Sequence, residues 1–127
     1  MASPSLRYPT IKQVVKINER VTKQAGLLRD KAALDSALNR PKMAAYYQQA
    51  DIAEQMALLV DGIAMNHPFI DGNKRTALVT GIAFLRANGG TIVAKKDETA
   101  KEIERLVVSR DVERFIIWIR AHLTVQS

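Results

Sequence analysis

At 127 residues, with 47% hydrophobic and 25% charged residues, the chain is long enough to bury one core and reads as a single domain over 1–127. The absence of Cys excludes a disulfide scaffold and thiolate metal sites. A net charge of +6 suits an anionic ligand or an acidic partner, but the cations are scattered along the chain without interleaved aromatics, which argues against a nucleic-acid partner.

The stretch Met1 to Thr10 carries Arg7 and two prolines where a signal peptide needs an apolar run, so a cytoplasmic location is expected. Thr10 is placed to cap a first helix reaching about Gln24, with Ile11, Val14, Val15, Ile17 and Val21 on a broad apolar face and Gly26 as its stop. Asp30 opens a second through Leu34, Ala37 and Leu38, which Pro41 should end. Lys42 to Gln49 then breaks the pattern. Ile52, Met56, Leu59, Val60 and Ile63 recur at helical spacing on a third helix. Thr76 to Leu85 is apolar nearly all round, which predicts a fourth helix through the middle of the domain, too short to span a bilayer. Asn88, Gly89 and Gly90 end it, and Thr91 to Ala94 is at most one short β-like segment, too little for a sheet. Asp97 or Thr99 starts a fifth helix with Ile103, Leu106 and Val107 inward. A sixth, from about Arg110 to His122, aligns Val112, Phe115, Ile116, Ile119 and Leu123, with Trp118 and His122 on its flank as packing or surface residues.

Between the third and fourth patterns runs His67-Pro68-Phe69-Ile70-Asp71-Gly72-Asn73-Lys74-Arg75-Thr76. Pro68 disfavours continuation of the third helix, and Gly72 lets the chain turn before a new helix opens at about Asn73. The first N–H groups of that helix lack intrahelical partners and carry the positive end of its dipole, so Gly72, Asn73 and Lys74 offer donors to an anion, with Lys74 and Arg75 adding charge. Asp71 is an oxygen ligand suited to Mg²⁺ beside a phosphate. His67 is a base near neutral pH. Phe69 anchors the loop in the core. A base, a metal carboxylate and a phosphate cradle spell phosphoryl or nucleotidyl transfer. The plainer alternative is a turn, a cap and a solvated Lys-Arg pair, in a catalytically silent helical module that only binds a partner.

The run closely resembles the signature of the Fic/Doc family, in the form found in its death-on-curing toxin branch. That pattern is His, any, Phe, any, Asp or Glu, Gly or Ala, Asn, Gly or Lys, Arg. His67, Phe69, Asp71, Gly72, Asn73, Lys74 and Arg75 fill every constrained place. Leu34 to Pro41 is similar to the segment preceding the family's flap, and Ala83 to Gly89 to the end of its central helix. The resemblance implies an all-α Fic fold of about six helices, with a central buried helix after the loop. It implies ATP and Mg²⁺ as cofactors, His67, Asp71, Asn73, Lys74 and Arg75 as catalytic residues, and Gly72, Asn73, Lys74 and Arg75 around the nucleotide, with Asp71 on the metal.

Two departures bear on the reaction. Adenylylating members of the family typically have Gly at the position of Lys74 and a second Arg where this chain has Leu78. The resemblance therefore implies ATP bound in the reverse sense, with phosphate passing to a Ser or Thr hydroxyl of a cytoplasmic protein of the translation machinery, elongation factor Tu being the implied target. Transfer of AMP by the same residues is the alternative. The family's inhibitory helix is matched only by Ser109 to Glu113 and fails at Arg114, so restraint is expected from a separate Phd-like antitoxin. Tyr46 and Tyr47, in the place of the flap, either line a protein-substrate groove or pack against the third helix.

Overall fold

Thr10 opens α1 (Ile11–Thr22) through a reciprocal cap. Its hydroxyl accepts from the Gln13 N–H at 3.2 Å, and the Gln13 side chain accepts from the Thr10 N–H at 2.9 Å. The chain is described here by a computed structural model covering residues 6–126, so the first half of the Met1 to Thr10 stretch lies outside the described residues. Asp30 and Asp51 cap α2 (Lys31–Gln48) and α3 (Ile52–Asn66), each accepting from the N–H three residues on. Then follow α4 (Asn73–Ala87), β1 (Gly90–Ile92), α5 (Lys96–Ser109), α6 (Val112–His122) and β2 (Leu123–Val125). The architecture is all-α, six helices with one small sheet. No helix among the described residues is long and apolar enough to cross a membrane.

The hydrophobic stripe of α3 becomes the hub of the core. Ten of its fifteen residues are buried, and it touches α2, α4, α5 and α6. α4 takes the expected central place between α1 and α3, burying Thr76, Ala77, Thr80, Gly81, Phe84 and Leu85 while Lys74, Arg75 and Val79 face water. The N-terminal segment is latched across this pair of helices. Tyr8 stacks on Phe84 at 5.6 Å and donates its hydroxyl hydrogen to Gln55 Oε1 at 2.6 Å, and its partial burial pushes the phenol pKa up. Arg7 exchanges two hydrogen bonds between its backbone and the Asn88 side chain.

Two expectations need correction. Pro41 does not end α2, which runs through it to Gln48, so Lys42 to Gln49 is mostly helix. A proline inside a helix costs about 3 kcal/mol, but here close packing on α3 offsets it. Pro41, Ala37 and Ala44 are buried against that helix, and a Cβ added to Gly62 would lie only 3.0 Å from the Ala37 Cβ. Packing outweighs propensity. The segment after Gly90 does form a sheet, because Leu123–Val125 leaves α6 and pairs with it antiparallel, Thr91 opposite Thr124. Leu123, expected on the last helix face, instead opens a strand. The Val93 N–H donates to the His122 carbonyl and the Gln126 N–H to that of Gly89, extending the clasp at both ends. Arg120 ties α6 to the start of α3 through Asp51 at 3.0 Å and Glu54 at 2.8 Å. These acceptors hold the Arg120 pKa above its ordinary value, the Asp51 hydrogen bond contributing most.

Candidate active site

α3 ends at His67, whose backbone is left-handed at φ 49 and ψ 55. Pro68 cannot continue the helix, and the chain turns across the end of the molecule toward α4. This loop is held from both sides. On one side the Leu27 to Asp30 segment pairs with it: the N–H groups of Arg29 and Asp30 donate to the Pro68 carbonyl at 2.9 and 3.0 Å, and the Ile70 N–H donates to Leu27 at 2.8 Å. Leu28 and Phe69 form an isolated antiparallel bridge. The Arg29 guanidinium donates to the His67 carbonyl at 2.7 Å.

On the other side α4 holds the loop by its own first residue. The Asn73 side chain accepts from the Phe69 N–H at 3.0 Å and donates to the Phe69 carbonyl at 2.8 Å, acting as a strand neighbour would. Phe69 itself is 1% exposed and anchors the loop in the core, as expected. The Asn73 side chain is therefore committed to shaping the loop, and what the residue leaves open is its backbone N–H.

Gly72 opens α4 with φ 76 and makes no side-chain cap, so the first turn keeps its unsatisfied N–H groups. No other residue fits. A Cβ there would meet the Thr22 Cγ2 at 2.5 Å, besides the cost of the left-handed backbone. The Gly72 N–H is already taken by Asp71 Oδ1 at 2.8 Å, which leaves the N–H groups of Asn73, Lys74 and Arg75 as the open end of the helix. Asp71 is exposed, and its second oxygen makes no hydrogen bond or ion pair among the described residues. One free carboxylate oxygen beside an open helix N-terminus fits Mg²⁺, which takes one or two carboxylates and fills its shell with phosphate and water oxygens. Among the described residues, no cluster of three His, Asp or Glu side chains forms a self-sufficient metal cage.

His67, Asp71, Gly72, Asn73, Lys74 and Arg75 thus lie on one loop and helix start, Gly72 and Asn73 half-buried and the other four exposed. Arg75 makes no ion pair among the described residues, but Lys74 does: its ammonium lies 2.9 Å from Glu104 on α5. Leu78, one turn further along α4, packs against the core. Two concavities among the described residues, of about 450 and 610 Å³, lie elsewhere. One is bounded by the N-terminal segment, α1 and the second half of α4, the other by α2 and Leu58.

Tyr46 and Tyr47 do not take the packing role, and although Tyr47 lines the second of these concavities, neither tyrosine lies beside the loop. They are 77% and 67% exposed, so they do not pack on α3, and their edge-to-face pair sits at the far end of α2. The near end of α2 is fixed beside the loop by Asn66, which donates to the Ala33 carbonyl. Thirteen residues of helix then separate the tyrosines from it, about 20 Å at 1.5 Å per residue. The segment beside the loop is Leu27 to Asp30.

Sequence reasoning passed over a third support. Asn18 on α1 is 1% exposed and donates to the Asp71 carbonyl at 2.9 Å and the Thr76 hydroxyl at 3.0 Å, joining the loop to the start of α4. Its Oδ1 is buried without a partner. The signal was present, since Asn18 falls one turn after Val14 on the apolar face of α1.

The chain matches the family model described as the Fic/DOC family over residues 8–85. It is 35% identical over 89 residues to Toxin Doc of Mycolicibacterium smegmatis, a stretch covering 68% of each chain. The matched family span contains α1 to α3, the loop and most of α4, and leaves α5, α6 and the sheet outside it.

Proposed function

The chain belongs to the Fic/DOC family, and on that footing we propose that it is the toxin of a toxin–antitoxin pair, transferring phosphate from ATP to a Ser or Thr hydroxyl of a cytoplasmic protein. The observation that carries phosphate over AMP transfer is Leu78. Where adenylylating relatives place a second Arg to hold the terminal phosphates, this side chain packs into the core, and the cations at the start of α4 are Lys74 and Arg75 alone.

In this reading the target hydroxyl comes to His67, which takes its proton as the oxygen attacks the γ-phosphorus, the bond to the β,γ-bridging oxygen breaks and ADP leaves. The N–H groups of Asn73, Lys74 and Arg75 face the phosphate oxygens along the axis of the α4 dipole, and the Arg75 guanidinium adds a full charge. Asp71 holds Mg²⁺ through its free oxygen, and the metal when bound neutralises charge on the phosphates. Asn73 and Gly72 set the loop that carries these groups. A translation factor such as elongation factor Tu is the proposed target, and a Phd-like antitoxin the proposed restraint.

The Lys74–Glu104 pair favours a second reading. With its ammonium drawn toward α5, Lys74 does not crowd the helix start, which leaves AMP transfer by the same residues as the alternative. ATP labelled at the α or the γ phosphate, incubated with the protein and cell lysate, decides the matter. Label from the γ position alone on a protein band supports the kinase reading, label from the α position alone supports AMP transfer, and no label from either refutes both.

A further inference from the structure

His67 is the C-cap of α3 in the left-handed backbone, a state that Lys23, Gln49 and Arg110 also take at the ends of α1, α2 and α5, and at His67 a contact from outside the helix holds it. The left-handed region costs an L-residue about 1–2 kcal/mol; the Gln49 and Arg110 N–H groups offset it with bonds back to the Ala44 and Leu106 carbonyls, and His67 makes no such contact with its own helix among the described residues. The imidazole supplies none either among the described residues. What grips the residue is the Arg29 guanidinium at 2.7 Å from its carbonyl, a charge-assisted bond, with the Arg29 and Asp30 N–H groups on the next carbonyl. α3 also has no basic residue in its last turn to complement the negative end of its dipole. Arg29, 38 positions away in sequence, brings that cation from the α1–α2 connection.

We propose that Arg29 is the positioning residue for the base: its guanidinium caps the C-terminus of α3 and locks the His67 backbone in the left-handed state that places the imidazole for proton transfer. Arg29 is exposed and packs no core, so its loss leaves the helices standing and frees only the end of α3. The role rests on the reading of His67 as the base. It predicts a defect in the chemical step rather than in nucleotide binding, because the donors to the phosphates are on α4.

The test uses the full chain carrying Arg29→Met, which keeps the length of the stem without donors, and Arg29→Lys, which keeps the charge on a single donor nitrogen. Backbone ¹³C shifts of His67 report its conformation without any reaction. In the unaltered protein they should show the left-handed state, in Arg29→Met they should move toward averaged values, and in Arg29→Lys they should lie between. Transfer of phosphate should lose ten-fold or more in kcat in Arg29→Met at unchanged KM for ATP, with partial recovery in Arg29→Lys. His67 shifts unchanged in Arg29→Met would overturn the proposal, as would a rise in KM at constant kcat, which would make Arg29 a nucleotide ligand. Should the unaltered protein transfer nothing, the functional reading falls, and the ¹³C shifts still decide whether Arg29 sets the His67 backbone.

Discussion

Replacing Gly72 by Ala tests the architecture of the loop with a single methyl group. Two costs follow from the geometry. The left-handed backbone at φ 76 costs Ala about 1–2 kcal/mol. The new Cβ would stand 2.5 Å from the Thr22 Cγ2, and Thr22 cannot swing aside freely because its hydroxyl donates to the Asn18 carbonyl at 2.8 Å. Losing that bond adds about 1 kcal/mol. Gly72→Ala should therefore lose about 2–3 kcal/mol in urea denaturation followed by circular dichroism. At roughly 4 °C per kcal/mol for a domain of this size, the Tm should fall by about 8–12 °C. Thr22→Ser removes the offending methyl and keeps the hydroxyl, so the double variant Gly72→Ala with Thr22→Ser should regain about 1 kcal/mol over the sum of the two single changes. The reasoning is refuted if Gly72→Ala lies within about 0.5 kcal/mol of the unaltered protein, or if the two substitutions simply add.

Three further outcomes are expected. His67→Ala should cut phosphate transfer by about 10² to 10⁴ while the urea midpoint stays put, since the residue is exposed and lies outside the core; undiminished turnover would remove the base assignment. Asp71→Asn keeps an acceptor for the Gly72 N–H but loses the charge facing the metal, so turnover should collapse and stay low under moderate added Mg²⁺, and normal turnover would reduce Asp71 to a turn residue. The raised pKa of Tyr8 means that the unfolded chain loses this proton first as pH climbs past about 10, so this contribution is complete below that pH and disappears through the folded value. Tyr8→Phe should cost about 1 kcal/mol at neutral pH, through the hydrogen bond lost to Gln55, and flatten the alkaline fall in stability; a fall of unchanged slope in the variant would place its origin elsewhere.

The sequence made the loop legible because its chemistry is local. Base, carboxylate, glycine and cations sit within ten residues, and the proline and glycine that shape the turn lie among them. The helices were legible where an apolar stripe coincided with a capping residue, as at Thr10, Asp30 and Asp51. Pro41 misled because its local penalty is outweighed by contacts with α3 that no window of sequence contains. The β2 strand was hidden for a related reason: Leu123 continues the apolar spacing of α6, and only the partner at Gly90–Ile92 makes it a strand. Asn18 showed as a polar residue on an apolar face, whereas Arg29 and Glu104 gave no sign, since an exposed cation or carboxylate looks the same whether it meets water or a residue 30 or more positions away.

The lashings of the loop also govern when it can exist during synthesis. Arg29 must meet His67, and Asn18 must meet Asp71 and Thr76, across separations of 38, 53 and 58 residues. Ribosomes add about 5–20 residues per second, so α1 waits roughly 3–12 s for its partner at Thr76 to be made. During that interval α1 to α3 can assemble while the nascent chain has no phosphate cradle. Closing such long loops is also the slow part of folding, because the entropy is lost before the contacts reward it. The loop thus waits on α4, and a polypeptide that stalls before α4 lacks both the central helix against which α1 and α3 pack and the helix start that completes the candidate site.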